Sequence, residues 1–405
     1  MKPFTSLLGA SIGTHAADQL ALATLPLTAT LVLQIGPGPL GLLMAAQSAA
    51  WLLVSLPAGT WVDRYPRRTL LVVALAAGLL ASMAAVAAAA IGDPMLLGIA
   101  AFLGAGGTVI YVLTSVSLLP SLVAPAELPR ANARLELARA VVSFAAPSVA
   151  GLLAQHLSPT WGYALSALGA ALALACVLAL PKAPAPAPAE ARSLGAAIKA
   201  GAAFVLGNEL LRGISLCAIF WNFAFFALLA IWAPLALGHL KLAPSGMGMA
   251  LSAIGAGQIL GALAAPHTSR HLPPFVTLIF GPAISVVGVA MLLMARRIDP
   301  LLCSLAGFFL IGFGPMLWLI CQTTVRQLVT PAPLMGRVNA TVQTAIYGVR
   351  PLGALAGGLV AAQAGVESAL ILVAISFALS TVVIVMSPLA RLRAMPSSPA
   401  IEPAL

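Results

Sequence analysis

The sequence predicts an all-α polytopic membrane protein, with twelve transmembrane helices in two six-helix bundles that repeat one another. Three observations lead there. The 405-residue chain is 61% hydrophobic and 7% charged, whereas a soluble domain carries about 25% charged residues. Twelve apolar runs are long enough to cross a bilayer, which takes about 20 residues. The two halves also share residues at one constant offset.

The runs fall at 6–33, 41–62, 69–91, 95–119, 132–156, 161–181, 211–237, 246–266, 274–295, 300–325, 338–363 and 367–389. The first is long and carries Asp18. It has no short apolar core followed by a small-residue cleavage site, so it reads as a retained helix. The one long connection, 182–208, separates an N-terminal bundle (1–181) from a C-terminal bundle (209–391). Its KAPAPAPAEARS stretch is rich in Pro and Ala and is expected to be extended and semi-rigid. SLGAAIKAGAAFVLGNELL then reads as an amphipathic helix entering span seven. Residues 392–405 form a tail expected to lack structure.

Net charge is +10 and pI about 10.2. In a soluble protein that excess suggests nucleic acid. Here the basic residues sit in short loops, where they set topology, so nucleic acid is not an expected partner. With the N-terminus inside, fifteen of the twenty Lys and Arg fall on the inner side. Lys241, Arg296 and Arg297 lie outside, and Arg139 and Arg350 within spans. Both termini are therefore expected in the cytoplasm, in a membrane of the bacterial inner type.

The repeat is seen at offset 207. Span five (LPRANARLELARAVVSFAAPSVAGLL) resembles span eleven (LMGRVNATVQTAIYGVRPLGALAGGLV), with Asn132 against Asn339 and Gly151 against Gly358. Span two resembles span eight, with Gly41 against Gly248. Repeated halves place a transport site at their interface, near the midplane of the membrane.

The most specific stretch is LPAGTWVDRYPRRTLL, a basic turn between spans two and three. Gly59, Asp63, Arg64, Arg67 and Arg68 fit the pattern Gly-x-x-x-Asp-Arg-x-Gly-Arg-Arg/Lys, with Pro66 where Gly is usual. Together with the six-plus-six spans and the central loop, this resembles the major facilitator superfamily. LPAG, ELPRANA and GRVNATVQ…RPLGALAGG resemble its branch of drug and macrolide-efflux proteins and enterobactin exporters. The resemblance implies secondary active export by rocker-switch alternating access. It also implies that the 59–68 loop latches the halves at the cytoplasmic side, against a region such as Gly336 and Arg337. A carboxylate at a helix end suits the dipole of a neighbouring helix N-terminus. The other reading is a plain topological anchor. Arg270 stands opposite Asp63 in the repeat, so the second half lacks the acid.

Ionisable residues within spans are costly and mark function. Asp18 is the one deeply placed acid. A desolvated carboxyl there can take up and release protons near neutral pH, as a proton antiporter requires; a structural hydrogen bond is the alternative. His15 lies three residues earlier, on the same helical face. Glu136 and Arg139 have ion-pair spacing at the start of span five. Arg350 precedes Pro351 in span eleven and needs a carboxylate, a carbonyl or an anionic substrate group as partner. Expected cavity-lining residues are Gln47, Trp51, Tyr111, Trp221, Asn222, Gln258, Trp318, Gln343 and Tyr347, to which Thr114 and Gln322 add amide and hydroxyl groups. Such a lining suits amphipathic organic molecules better than sugars or inorganic ions.

No Walker loop, metal-ligand cluster or nucleophile triad is present, so the chain is not expected to be an enzyme or to hold a cofactor; the proton motive force is the expected energy source. Cys176, Cys217, Cys303 and Cys321 sit in apolar runs as small hydrophobes. His267 and His271 are placed in the loop between spans eight and nine. The expected protein is a multidrug or metabolite exporter working as a monomer, with a small-molecule substrate and the lipid bilayer as its partners. The alternatives are a proton-coupled uptake symporter on the same fold and a non-transporting membrane receptor.

Overall fold

The computed structural model describes residues 2–124, 127–180, 194–331 and 334–396. The long elements are α1 (Lys2–Leu31), α2 (Pro37–Arg64), α3 (Arg67–Ile91), α4 (Pro94–Leu118), α5 (Leu128–His156), α6 (Thr160–Leu178), α7 (Leu194–Gly207), α8 (Glu209–Ala233), α9 (Pro244–His271), α10 (Pro274–Met294), α11 (Pro300–Val329), α12 (Met335–Ala364) and α13 (Val366–Met386). Among the described residues no strand occurs.

Local chemistry sets the helix starts. Pro occupies the first helical position of α2, α4, α9, α10 and α11, where its missing N–H is one of the unpaired donors anyway. Side-chain caps take up the rest. Asp93 accepts from Met95 N at 2.8 Å and Leu96 N at 3.2 Å. Asn208 accepts from Leu210 N at 3.0 Å and Leu211 N at 3.1 Å. Asp299 accepts from Leu302 N at 2.7 Å.

Among the described residues eleven helices are long and apolar enough to cross a membrane. α1 is the remaining long helix, 30 residues. Its hydropathy is lowered chiefly by His15, Asp18 and Gln19, while Ser11, Thr14, Thr24 and Thr28 are buried inside the protein. Lipid sees Leu, Ile, Val and Met, such as Leu80, Met95, Val116 and Leu263. α7 is the short helix read from the sequence. It packs on α12 and, with Val205, joins Leu211, Val338 and Val342 in a small core. The Pro/Ala stretch at 181–193 and the last residues, 397–405, lie outside the described residues.

The packing shows the repeat in space. In the first half α1 packs on α5 and α6, α2 on α4, and α3 on α4 and α6. In the second, α8 packs on α12 and α13, α9 on α11, and α10 on α11 and α13. Each contact in one half has its counterpart in the other. The halves then meet along two seams, α2 against α12 and α5 against α9.

Candidate functional site: the space between and within the bundles

The seams are built on the glycines that the repeat singled out. A Cβ at Gly41 would lie 2.8 Å from Gly358 Cα, and one at Gly151 would lie 3.2 Å from Gly248 Cα. The repeat equates Gly41 with Gly248 and Gly151 with Gly358, so the second seam is the first one transposed. Small residues let helix backbones approach this closely. Polar contacts reinforce the α5–α9 seam: Ser148 Oγ and Ser252 Oγ are 2.7 Å apart, and Ser245 N donates to Gln155 Oε1 at 3.3 Å.

All these approaches fall in 37–52, 144–155, 244–255 and 348–362, the parts of the four helices nearest one end of the bundle. Toward the other end Gly59, Thr60 and Trp61 on α2 are exposed, as are Asn132, Arg134, Glu136 and Arg139 on α5. Among the described residues the close approaches between the halves thus gather at the end holding the α1–α2 and α5–α6 turns, and the α2 and α5 residues toward the opposite end are exposed.

Below the α2–α12 seam sits a cluster drawn from both halves. Arg350 Nε donates to Asn222 Oδ1 at 3.1 Å. Its guanidinium carbon lies 5.0 Å from the ring centre of Phe226 and 4.9 Å from that of Tyr347. Tyr347 meets Trp51 of α2, with ring centres 5.3 Å apart, and its hydroxyl accepts from Gln343 Nε2 at 3.2 Å. On the α5 side Arg139 and Glu136 form an ion pair at 2.7 Å, both largely exposed.

Asp18 lies elsewhere. It lines a cavity of about 40 Å³ inside the first bundle, among α1, α3, α4 and α6, with Gln47 entering from α2. That volume has room for about two or three waters. The lining is polar where it counts: Thr14, Asp18, Gln47, Ser82, Thr108 and Ser166. Gln19 Nε2 donates to Asp18 Oδ2 at 3.2 Å, and Thr108 is within hydrogen-bonding reach of the same carboxyl. Ser82 Oγ and Ser166 Oγ are 2.9 Å apart, and Ser166 donates to Ala17 O at 2.8 Å. Gln47 Oε1 is buried and has no hydrogen-bond partner among the described residues. His15 does not share this cavity and lies within electrostatic reach of Arg139 and Glu136 instead. One turn of α1 thus faces two different spaces.

The remaining expected lining residues divide. Trp51, Asn222, Gln343 and Tyr347 are gathered around Arg350. Tyr111 is packed within the first bundle, its hydroxyl donating to Leu7 O at 3.5 Å. Trp221 donates to Ser285 Oγ at 3.0 Å and stacks on Phe225 inside the second bundle. Trp318 packs against α10 at Gly281. Gln258 is exposed on α9.

In the 59–68 loop, Arg68 Nη2 donates to Leu178 O at 2.7 Å and Nε to Val177 O at 3.4 Å, so it closes the end of α6. Gly59, Arg64 and Arg67 belong to the ends of α2 and α3, and Arg64 is exposed. Asp63 is in the last turn of α2; its side chain lies outside the described residues. His267 and His271 stand on the last turns of α9, not in a loop, with ring centres 4.4 Å apart.

Sequence reasoning missed Phe226, Thr108, Ser148 and Ser252. Phe226 belongs to an apolar run, and nothing marks it from its neighbours. The two serines are 104 residues apart and are not related by the repeat.

A helical membrane fold of two pseudo-repeated bundles meeting along two seams is the architecture of a membrane transporter. The major facilitator superfamily model matches residues 7–354, and the chain belongs to that family. The multidrug efflux pump Tap of Mycobacterium tuberculosis is 25% identical over 407 aligned positions, covering 96% of this chain and 94% of that pump. The enterobactin exporter EntS of Escherichia coli O81 is 26% identical over 339, covering 81% and 78%. The crystal structure of the nucleoside transporter NupG superposes with a TM-score of 0.77 at 15% identity, covering 95% of this chain and 99% of that one. Family and fold make this a multi-pass membrane transporter.

Proposed function

We propose that the chain exports amphipathic organic molecules from the cytoplasm in exchange for protons, its bundles rocking about the two glycine seams. The observation that carries this reading is the transposed pair of seams. They seal one end of the space between the halves and leave the other open, the arrangement alternating access requires. The excess of Lys and Arg in the loops of the open end supports a cytoplasmic position for it, and in this reading the state faces inward. The open space is lined by aromatic, amide and charged groups around Arg350, which suits amphipathic substrates. Relatives named as efflux pump and exporter favour outward transport.

Asp18 is the proton-carrying group in this reading. It occupies a cavity separate from the substrate space but with room for water, and Gln47 on the seam helix α2 lines the same cavity. A change of charge on Asp18 is therefore felt by the helix that closes the seal. The 59–68 loop, with Asp63, latches the cytoplasmic end in the opposite, outward-facing state.

Everted membrane vesicles with an acid interior test the direction of transport. An exporter accumulates labelled amphiphiles in the lumen under that gradient. Depletion of preloaded lumen by the same gradient identifies an uptake symporter and overturns the reading. Gradient-independent behaviour for every probe identifies a non-transporting protein.

A further inference from the structure

Among the described residues Arg350 has no counter-charge. The three ion pairs among the described residues join Glu136 to Arg139, Glu209 to Arg212 and Arg296 to Glu367. None reaches Arg350, and its two terminal nitrogens make no hydrogen bond to a described residue. The one acceptor among the described residues, Asn222 Oδ1, takes Nε only. Asn222 is itself fixed, since its amide donates to Ala218 O at 2.9 Å. The acceptor therefore orients the guanidinium and leaves the fork of terminal N–H groups free. Aromatic faces on two sides offset only part of the cost of a poorly hydrated charge, and an ion in such a place calls for a partner.

The surroundings define that partner. A free guanidinium fork matches a carboxylate or a similar two-oxygen anion. Phe226, Tyr347 and Trp51 supply flat apolar walls beside it. Trp51 comes from the first half, the others from the second, directly below the Gly41–Gly358 seam. A molecule in this position touches both halves.

Resting on the transporter reading above, we infer that the substrate carries an anionic group, of carboxylate or sulfonate type, on an aromatic or apolar body, and that Arg350 binds the anion while Trp51, Phe226 and Tyr347 hold the body. The transported class is then amphipathic anions, not cations or neutral drugs. The aromatic contacts add affinity without charge preference; the preference comes from Arg350.

The test uses the purified full-length chain in nanodiscs and three probes of one shape: 2-naphthoate, 2-naphthamide and 2-naphthylmethylammonium. Binding is read by calorimetry. The wild-type chain is expected to bind 2-naphthoate at least ten times more tightly than the amide and to bind the ammonium most weakly. Arg350→Gln is expected to remove that tenfold preference while holding the amide within about twofold, and Arg350→Lys to keep part of it. Equal wild-type affinity for naphthoate and naphthamide overturns the inference, and needs no variant. So does displacement of naphthoate by chloride or inorganic phosphate alone at matched concentration, which makes the cluster a free small-anion site. A retained preference with no gradient-driven flux refutes the export reading and leaves the anion subsite standing. Flux of neutral and cationic amphiphiles without the anion does the reverse.

Discussion

Replacing Gly358 with Leu asks whether the glycine seams hold the inward-facing state. A Cβ at this position would lie 2.7 Å from Gly41 Cα and 2.8 Å from Pro37 O. Carbon atoms in ordinary contact stay about 3.5–4.0 Å apart, so α2 and α12 must separate by roughly 1 Å. Both atoms are backbone and cannot swing aside. Overpacking of this kind costs about 1–3 kcal/mol. If the bundles rock as proposed, the seam parts in the other state, the cost falls on the sealed state alone, and the balance shifts about 5- to 150-fold toward outward-facing. Cross-linking reads the shift. A Cβ at Gly38 lies 3.4 Å from Ala362 Cβ, close to the spacing of a disulfide, so Gly38→Cys with Ala362→Cys reports the sealed end. The native Cys176, Cys217, Cys303 and Cys321 are replaced first. Gly358→Leu is expected to lower the cross-linking yield. Gly151→Leu, on the other seam, is expected to lower it too, since rigid bundles part at both seams together. Gly238→Leu, at an exposed position outside the seams and the 59–68 loop where a Cβ meets nothing within 4 Å, is the control. Undiminished cross-linking in Gly358→Leu, or a fall only when the mutated seam is the one cross-linked, refutes the two-seam reasoning.

Other outcomes follow from the same geometry. Asp63→Asn is expected to weaken the cytoplasmic latch and raise the Gly38–Ala362 cross-link; an unchanged yield makes the loop a plain anchor. Arg68→Ala removes two hydrogen bonds to the end of α6, worth about 1 kcal/mol together at a partly exposed site. It should lower the melting temperature by a few degrees without changing substrate binding. At Gly201 on α7 a Cβ would lie 2.5 Å from Arg337 O and 2.6 Å from Thr341 Oγ1. Gly201→Leu is therefore expected to lift α7 from α12, seen as faster amide exchange across residues 194–207 with the transmembrane helices unchanged.

Much of the fold was legible because lipid restricts the choices. Apolar length names the helices, and basic residues name the turns. The constant offset paired Gly41 with Gly248 and Gly151 with Gly358. Contact in space joins Gly41 to Gly358 and Gly248 to Gly151 instead, a swap that only the axis between the halves reveals. Side-chain direction was the part sequence withheld. When both faces of a helix are apolar, periodicity cannot tell a bundle interior from an open space. Tyr111, Trp221 and Trp318 therefore read as cavity lining although they pack within bundles. Asp18 and His15 share a helical face by spacing, yet α5 borders one and the intrabundle cavity the other. Arg350 plainly needed a partner; that it is Asn222, 128 residues away, depends on how α8 meets α12.

Proton exchange through Asp18 is the central proposal for this transporter. In everted vesicles with an acid lumen and trapped pyranine, adding substrate outside is expected to drive protons out, and the lumen to become more alkaline. Asp18→Asn is expected to abolish that response while substrate binding and substrate-for-substrate exchange persist. Substrate-driven loss of lumen protons that survives in Asp18→Asn contradicts the account.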